Sequence, residues 1–337
     1  MPTTEAMLYD KQPDGSVQCY LCAHRCRIKP GRYGYCCVRE NIDGTLHTHT
    51  FGRLIAQNVD PIEKKPLYHV LPGSTSYSVA TIGCNFRCDF CQNWQISQIH
   101  GSGGPPRRGV AMSPEEIAVD AAESGCRSIA YTYTEPTIFF EYAYETARAA
   151  HERGLLNVFV TNGYMTGEAL ETIRPYLDAC NVDLKSFRDE FYRTRCGARL
   201  EPVLESIKRM RELDIWVEVT TLVIPGQNDS REELDSIAGF LAETDPRIPW
   251  HISRFHPQYK LTEAASTPLE TLHMARDLGI AHGLRYVYLG NVAGSIETLC
   301  PECKAVLVRR SGFSARVLGL HDGQCESCRT AIDGIWG

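Results

Sequence analysis

The sequence lacks several features that would assign a protein to a broad class at once. Basic residues are not in excess, because 35 Lys and Arg stand against 41 Asp and Glu, so no global field attracts nucleic acid or an anionic membrane surface. No stretch of about 18 consecutive apolar residues occurs, and no basic segment followed by an apolar run stands at the start. We therefore expect a cytoplasmic protein with neither a nucleic-acid nor a membrane partner.

Low-complexity tracts are also missing. Hydrophobic residues make up 43% of the 337 residues and charged residues 23%, which is the composition of a folded globular chain. Such a length suits one large α/β domain with small appendages, or two ordinary domains.

Cysteine, by contrast, is abundant, with 15 residues. In a chain of this size without an export signal, close cysteine spacings indicate metal binding more often than disulfides. Most of the cysteines fall into three groups, near the start, in the middle and near the end. Cys126, Cys180 and Cys196 stand apart, and we expect them to be small buried hydrophobes.

Between residues 76 and 291, short runs rich in β-branched and aromatic residues alternate with longer helical stretches, which predicts repeated βα units and a parallel sheet. About six such units favour an incomplete, TIM-like (β/α)6 barrel, because a full barrel needs about eight. The predicted strands are 76–83, 128–134, 157–161, 180–185, 215–224, 249–255 and 286–290.

One helix start is explicit. Ser113 can cap a helix, Pro114 suits its first position and Glu116 stands where a capping box needs a carboxylate. We predict a helix over 113–124, ended by Gly125.

The middle cysteines follow the first predicted strand directly, in IGCNFRCDFCQNW. Ligands of parallel βα folds gather at the carboxyl ends of strands, so Cys84, Cys88 and Cys91 lie where chemistry is expected. Three thiolates can hold a [4Fe–4S] cluster that keeps one iron open, whereas structural zinc generally takes four protein ligands. The alternative is a zinc loop that borrows a distant fourth ligand.

This spacing, with Phe90 just before the last cysteine, resembles the signature of the radical S-adenosylmethionine (SAM) superfamily, and the remaining barrel is similar to pyruvate formate-lyase activating enzymes. The resemblance implies that SAM chelates the open iron and is cleaved reductively to a 5′-deoxyadenosyl radical. That radical would abstract hydrogen from a protein or a small-molecule substrate. An electron donor such as flavodoxin or ferredoxin is also implied, and no catalytic side chain is assigned.

The same resemblance implies cofactor contacts at further strand ends. Glu135, in TYTEPT, stands where the family has a GGE-type segment whose acidic residue receives the SAM ammonium group, although the glycines are absent here. Asn162, Asp183 and Lys185 would contact the ribose or carboxylate of SAM, or the substrate. From the residues alone, Glu135 could equally be a solvated carboxylate, and Asp183 with Lys185 a simple ion pair.

Two later positions complete this set. Ile224 matches the adenine-contacting segment of the family, and His256 matches a histidine near SAM. Core packing explains Ile224 nearly as well, and a lone histidine is more often structural.

Both ends of the chain are rich in cysteine. The first group could close around a structural zinc or a second iron–sulfur centre, and the last group forms two CxxC pairs typical of a zinc ribbon. The first group comprises Cys19, Cys22, Cys26 and Cys36, and the last comprises Cys300, Cys303, Cys325 and Cys328.

The segments AMLYDKQPDGSVQCYLCAHRC, FGRLIAQNVDPIEKKPLYHVLPG and CQNWQISQ narrow the resemblance. Together they are similar to the radical SAM member of the AmmeMemoRadiSam system, which implies Memo-like and Ammecr-type proteins as partners. Within them, Lys64, Lys65 and His69 could reach the mouth of the active site, but two adjacent lysines before a proline are more often a solvated linker.

We expect three domains: a Cys-rich N-terminal module over 1–75, a radical SAM core over 76–291, and a zinc-ribbon-like module over 292–337. The rival hypothesis is a non-catalytic, zinc-stabilised module that binds a protein. Metal analysis separates the two, because only the enzyme would contain iron and acid-labile sulfide.

Overall fold

A computed structural model of the chain describes residues 4–99 and 108–336, and its centre is an eight-stranded sheet. Strands β2 to β8 run parallel and neighbour one another in chain order, while β1 pairs antiparallel with β2 at one edge. The strands are β1 Ala56–Pro61, β2 Thr75–Ala80, β3 Ser128–Tyr131, β4 Leu156–Thr161, β5 Ala179–Asp183, β6 Trp216–Val223, β7 Trp250–Arg254 and β8 Val287–Gly290.

One main helix joins each successive pair of parallel strands, which confirms the α/β class and the alternation of βα units. Every crossover steps in the same direction, and right-handed crossovers then place the helices on one face of the sheet. The helices are α1 Pro114–Glu123, α2 Phe140–His151, α3 Gly167–Ile173, α4 Glu201–Glu212, α5 Arg231–Thr244 and α6 Leu269–Ala281.

Helix α1 begins as predicted. The Ser113 hydroxyl accepts a hydrogen bond from the Glu116 backbone N–H at 3.2 Å, and the Glu116 carboxylate accepts one from the Ser113 N–H at 2.6 Å. These two bonds satisfy donors that a helix N-terminus otherwise leaves free.

Small strands and short helical turns make up the rest. The strands are Thr4–Glu5, Tyr9–Lys11, Val17–Cys19, Arg27–Ile28, Arg39–Ile42, Thr45–Thr48, Arg53–Leu54, Val110–Ala111, Ser295–Leu299, Val306–Ser311, Ser314–Val317, Leu320–His321 and Gln324–Cys325. The short helical turns are Ile62–Lys64, Trp94–Ser97, Pro136–Phe139, Asp189–Phe191 and Tyr192–Cys196. Within the described residues, no helix combines the length and apolar character that crossing a membrane demands.

Residues 62–71, called the base segment below, close the amino ends of the parallel strands. Ile62, Leu67 and Val70 pack there against inner-face side chains such as Val158 and Trp216. The expectation that the two lysines form a solvated linker is therefore wrong for Lys65, which is 2% exposed, and His69 is likewise buried at 0%. Apolar neighbours on the same short segment carry both side chains into the interior.

The C-terminal strands dock beneath the same end of the sheet. The Arg310 guanidinium is buried, donates to the Tyr68 carbonyl at 2.6 Å and to the Thr298 hydroxyl at 2.8 Å, and lies over the Tyr68 ring at 4.3 Å. His69 Nδ1 donates to the Asp333 carbonyl at 2.6 Å. These contacts join the last part of the chain to the base segment.

Candidate functional site

The loop after β2 carries the three middle cysteines at the carboxyl end of the sheet. The Phe86 backbone N–H donates to Cys84 Sγ at 3.3 Å, and Cys91 Sγ lies 3.1 Å from the Ser97 hydroxyl. Burial and nearby negative charge raise the pKa of Cys84 well above its ordinary value, and burial also raises that of Cys91. The thiols therefore keep their protons unless a cationic centre replaces them.

The sulfur spacing separates this loop from the C-terminal cysteines. Cys300 and Cys328 have sulfurs 3.6 Å apart, as do Cys303 and Cys325, and a tetrahedral ion with ~2.3 Å bonds needs sulfurs about 3.8 Å apart. Over residues 4–99 and 108–336, the C-terminal set alone brings three or more metal-binding side chains within 4.8 Å of one another. The middle cysteines are thus spread too widely for one zinc ion, while their number and position fit a multi-iron cluster.

Glu135 lies next to this loop, and its side chain is almost fully buried. One carboxylate oxygen accepts from the backbone N–H of Thr137 at 3.1 Å and from the hydroxyls of Thr137 and Thr161, and the other accepts from the Asn162 N–H at 2.8 Å. No basic side chain forms a salt bridge with it among the residues that the structure describes. Burial raises its pKa in spite of these hydrogen bonds, so a cationic ligand would relieve an unfavourable charge.

Asn162 connects this carboxylate to the cysteine loop. Its side-chain amide donates to the Asn85 side-chain Oδ1 at 2.8 Å and lies 3.8 Å from Cys84 Sγ, while its backbone N–H donates to the Glu135 carboxylate. Three of the predicted site residues therefore meet in one hydrogen-bonded unit. Asn85 and Thr161 belong to it as well; each adjoins a predicted site residue in the sequence, but neither was itself predicted to be part of the site.

Asp183 and Lys185 also lie at the carboxyl ends of the strands. Their side chains form an ion pair at 2.8 Å, and the Lys185 ammonium lies 6.0 Å from the centre of the Phe90 ring in the cysteine loop. Burial would lower the pKa of Lys185, but the Asp183 carboxylate and the thiols of Cys88 and Cys196 raise it well above the ordinary value. The ion pair that the sequence offered as an alternative therefore forms, and it lies beside the cysteines.

Cys196 is the unanticipated member of this neighbourhood. It is buried, as expected for a small hydrophobe, yet its thiol adjoins Cys88 and raises the pKa of that thiol more than burial does. The sequence does not predict the contact between Cys196 and Cys88, because the two are distant along the chain. The short π-helical turn Tyr192–Cys196 brings them together.

The structure does not bring the last two predicted residues into this unit. Ile224 is buried at the end of β6, and its backbone N–H donates to the Asn228 side chain at 2.6 Å. His256 is exposed, and its nearest polar partner is the Ser266 hydroxyl at 3.1 Å.

The N-terminal cysteines lie close together against the same end of the sheet. They line a small cavity that Arg39 and Ile138 also line, and Arg39 lies 3.7 Å from Cys19 Sγ. Burial and neighbouring thiols raise the pKa of Cys22 well above its ordinary value, and burial raises that of Cys36 to about 12. Four clustered cysteines, two buried and two partly buried, whose thiolates would repel one another form a setting that a metal centre stabilises.

Two contacts link this cavity to the middle cysteines. His24 Nε2 lies 2.8 Å from the carbonyl oxygen of Asn85, the residue after Cys84. Arg87 donates to the Cys84 carbonyl at 2.9 Å and lies 3.7 Å from Cys37 Sγ. The two cysteine groups are therefore neighbours in space.

Comparison with known proteins accounts for this arrangement. The model of the radical SAM superfamily matches residues 78–239. An uncharacterized protein of Methanocaldococcus jannaschii is 46% identical over 334 residues, covering 98% of this chain and 98% of the relative. The pyruvate formate-lyase 1-activating enzyme of Escherichia coli (strain K12) is 20% identical over 225 residues, covering 61% of this chain and 89% of that enzyme.

A solved structure shares the fold. Streptococcus suis SuiB bound to precursor peptide SuiA aligns with a TM-score of 0.50 at 14% identity, over 69% of this chain and 51% of that one. The family match begins in β2 and spans the cysteine loop, Glu135 and Asn162. The chain is therefore an enzyme of the radical SAM superfamily, similar to the pyruvate formate-lyase activating enzymes.

Proposed function

We propose that Cys84, Cys88 and Cys91 hold a [4Fe–4S] cluster at which the enzyme reductively cleaves SAM. One observation carries the proposal: Glu135 is a buried carboxylate that forms no salt bridge within the described part of the chain, and Asn162 joins it to the first of these cysteines. When bound, the cluster supplies the electron that breaks a carbon–sulfur bond of SAM, and the resulting 5′-deoxyadenosyl radical abstracts hydrogen from the substrate.

The surrounding side chains bind and orient the cofactor. Glu135 receives the SAM ammonium group, because it is a buried anion held rigidly by hydrogen bonds. Asn162 fixes Glu135 relative to the cysteine loop. Asp183 and Lys185 supply one charge of each sign beside the loop, suited to the ribose hydroxyls and the carboxylate of SAM or to a polar substrate.

The adenine would lie along the backbone that follows β6. Asn228 supports this proposal, since its side chain holds the turn at Ile224 and also donates to the Lys185 carbonyl at 2.6 Å. His256 follows β7 at the same end of the sheet, and its exposed ring leaves it accessible to a bound ligand, so we retain it as a proposed contact.

The chain order of the strands supports a partial (β/α)6 barrel as the frame. Because the helices cover one face of the sheet, the other, inner face is left for ligands. The burial of the side chains on this inner face decreases along the strands. Val158 and Ala179, near the base, are buried, whereas Val160 and Asp183, farther along the same strands, are partly exposed. We propose that this core spans 76–291, with a Cys-rich module over 1–75, whose strand β1 extends the core sheet at its edge, and a zinc-ribbon-like module over 292–337.

The two outer cysteine groups would hold different centres. The C-terminal set has the sulfur spacing of one zinc ion. The N-terminal set is not as tightly gathered and adjoins the cluster loop, which favours a second iron–sulfur centre over zinc. Replacing Cys26 should then lower the iron content, and replacing Cys325 should lower the zinc content.

The substrate we favour is a protein, by analogy with the activating enzymes to which the chain is similar; a small molecule is the second candidate. Radical SAM activating enzymes take their electron from a donor, for which flavodoxin or ferredoxin is proposed here. Memo-like and Ammecr-type proteins are the proposed partners, on the resemblance of the first 75 residues and the cysteine loop.

The test is anaerobic incubation of the reconstituted enzyme with SAM and a strong reductant, followed by assay for 5′-deoxyadenosine. Wild type should form it, and Cys88→Ala should form almost none. Cys126→Ala is the matched control, because Cys126 is also buried but lies beyond α1, away from the loop. Equal product from wild type and Cys88→Ala would remove the cluster from the mechanism. Iron and sulfide analysis of the same samples separates the enzyme from the rival hypothesis of a zinc-stabilised binding module, which family membership already disfavours.

A further inference from the structure

Tyr133 occupies a backbone conformation that its side chain disfavours. It follows β3 and lies two residues before Glu135, with a φ of 61°. This left-handed region is easy for glycine and rare for a bulky residue. The predicted strand 128–134 ends early at Tyr131 for this reason, and the N–H of Thr134 folds back to the Thr132 carbonyl at 2.7 Å.

A buried charged group holds the Tyr133 side chain. Its hydroxyl donates to the Asp60 carboxylate and accepts from the Asn58 amide at 3.1 Å. The Lys65 ammonium donates to the same carboxylate at 2.7 Å and lies 4.6 Å from the centre of the Tyr133 ring. Asp60 and Lys65 are 6% and 2% exposed, so water competes little for these bonds.

The electrostatics keep the group charged at neutral pH. Burial lowers the pKa of Lys65 to about 8, with Asp60 opposing the shift, and the pKa of Asp60 is lowered because Lys64, Lys65 and Tyr133 donate to it in spite of its burial. Burial and Asp60 raise the pKa of Tyr133 to about 12. The phenol is therefore a hydrogen-bond donor to a carboxylate over the whole working range.

The backbone of Tyr133 is held from the opposite side. Its carbonyl accepts from the Asn93 side-chain amide at 2.8 Å, and Asn93 follows Cys91 by two residues. A single residue thus connects the cysteine loop to β1 and the base segment, and the turn that it begins ends at Glu135.

We propose that Asp60, Lys65 and Tyr133 form a positioning clamp that holds the turn 132–135 in its left-handed conformation and so aims Glu135 at SAM. This inference rests on the proposed function. The clamp compensates for the absence of glycine at position 133, since the hydrogen bonds and the buried cation make one strained backbone conformation the favoured one. A merely structural ion pair would stabilise the fold without depending on which residue occupies position 133.

The test combines two substitutions in a double-mutant cycle. Asp60→Asn is introduced into wild type and into Tyr133→Gly, and the Kd of SAM is measured by anaerobic calorimetry on reconstituted protein. We expect Asp60→Asn to weaken SAM binding about tenfold in wild type and less than about twofold in Tyr133→Gly, because glycine adopts the turn without a clamp. The SAM-induced change in the EPR spectrum of the reduced cluster should follow the same pattern.

Asp245→Asn is the matched control, since Asp245 is a buried aspartate paired with two arginines, Arg211 and Arg247, far along the chain from this turn. It should leave the Kd of SAM within about twofold. Near-UV circular dichroism checks that each variant is folded, and Tyr133→Phe, which keeps the ring and loses the hydroxyl, should weaken binding in the same direction if Asp60→Asn does not fold.

Two failures are distinguishable. If wild type and Asp245→Asn bind no SAM, the proposed function falls and the clamp with it. If both bind SAM but Asp60→Asn weakens binding equally in the two backgrounds, or in neither, the proposed function stands and the clamp is overturned.

Discussion

Two buried glutamates, at opposite ends of the parallel sheet, have opposite pKa shifts. Glu218, at the base, accepts from the N–H groups of Tyr68 and His69 at 3.0 and 2.8 Å and pairs with His251 at 2.7 Å. Burial opposes its charge, but His251 and the donors still lower its pKa. Glu135, at the carboxyl end, has hydrogen bonds but no salt bridge to any basic side chain over residues 4–99 and 108–336, and burial raises its pKa.

The difference separates a structural carboxylate from one that suits a ligand. At the base, donors and a basic partner complete the coordination of Glu218, and the base segment and C-terminal strands seal it. At the other end, no basic side chain in the described residues balances the charge of Glu135, as the proposed binding of a cationic ligand requires. A single sheet can therefore place stability at one end and binding at the other, provided that unpaired charge is confined to the binding end.

The largest expected effect is a loss of stability when Glu218, at the base of the sheet, is replaced. Glu218→Leu leaves two backbone N–H groups and the His251 ring without their acceptor, which should reduce the free energy of unfolding by about 3 to 5 kcal/mol. Urea denaturation under anaerobic conditions measures this loss, and SAM affinity of the folded fraction should stay within about twofold. Loss of SAM affinity at unchanged stability would reverse the roles assigned to the two ends.

The converse change is Glu135→Gln at the carboxyl end. Without its negative charge, the site should bind SAM about 30- to 100-fold more weakly, which corresponds to about 2 to 3 kcal/mol for a charged hydrogen bond. The free energy of unfolding should change by no more than about 1 kcal/mol, because the burial penalty of the charge disappears as well. Anaerobic calorimetry and urea denaturation of the same preparations give both numbers, and a stability loss without a binding loss would contradict the assignment.

A smaller effect follows from the buried, neutral His69. Burial lowers its pKa to about 4 in the folded protein, against about 6.5 when unfolded, so the unfolded chain binds the extra proton and stability falls as the pH falls through this window. Between pH 7 and pH 5 this costs about 2 kcal/mol. The groups facing His69 are Glu218, His251, Arg310, the Tyr288 hydroxyl and the Asp333 carbonyl.

The check is to measure unfolding at both pH values for wild type and His69→Gln. The variant should lose most of the pH dependence, although it is less stable at pH 7. His282→Gln is the control, because His282 is a surface residue paired with Asp235. Parallel pH profiles for wild type and His69→Gln would exclude His69 as the cause.

The smallest expected effect concerns the cap of helix α1, which belongs to neither end of the sheet. It shows how far a small loss of stability by itself changes SAM affinity. Ser113→Ala removes the cap of α1 and should cost about 1 kcal/mol of unfolding free energy, with no change in the Kd of SAM. Thermal denaturation suffices as the measurement. A change in SAM affinity here would mean that loss of stability alone weakens binding, and the comparison of the two ends would then need correction for it.

Local patterns along the chain were enough to predict several parts of this protein. The capping residues of α1 act within four positions of one another, so no distant contact is needed to define the start of the helix. The alternation of apolar strands and helices reflects burial of the sheet from the helix side, and it predicted every parallel strand to within a few residues. The middle cysteines are close in sequence, so their spacing alone indicated the family.

Contacts between distant segments decided the rest. Strand β1 is polar and lies at an edge of the sheet, so it has no apolar alternation to reveal it. Lys65 is buried because the Asp60 carboxylate pairs with its charge and the Tyr133 ring lies against its ammonium group. Cys196 adjoins Cys88 because of a π-helical turn. The sequence shows which side chains are charged or apolar. The pKa of a carboxylate, and whether it can bind a ligand, depend on which groups the fold places around it.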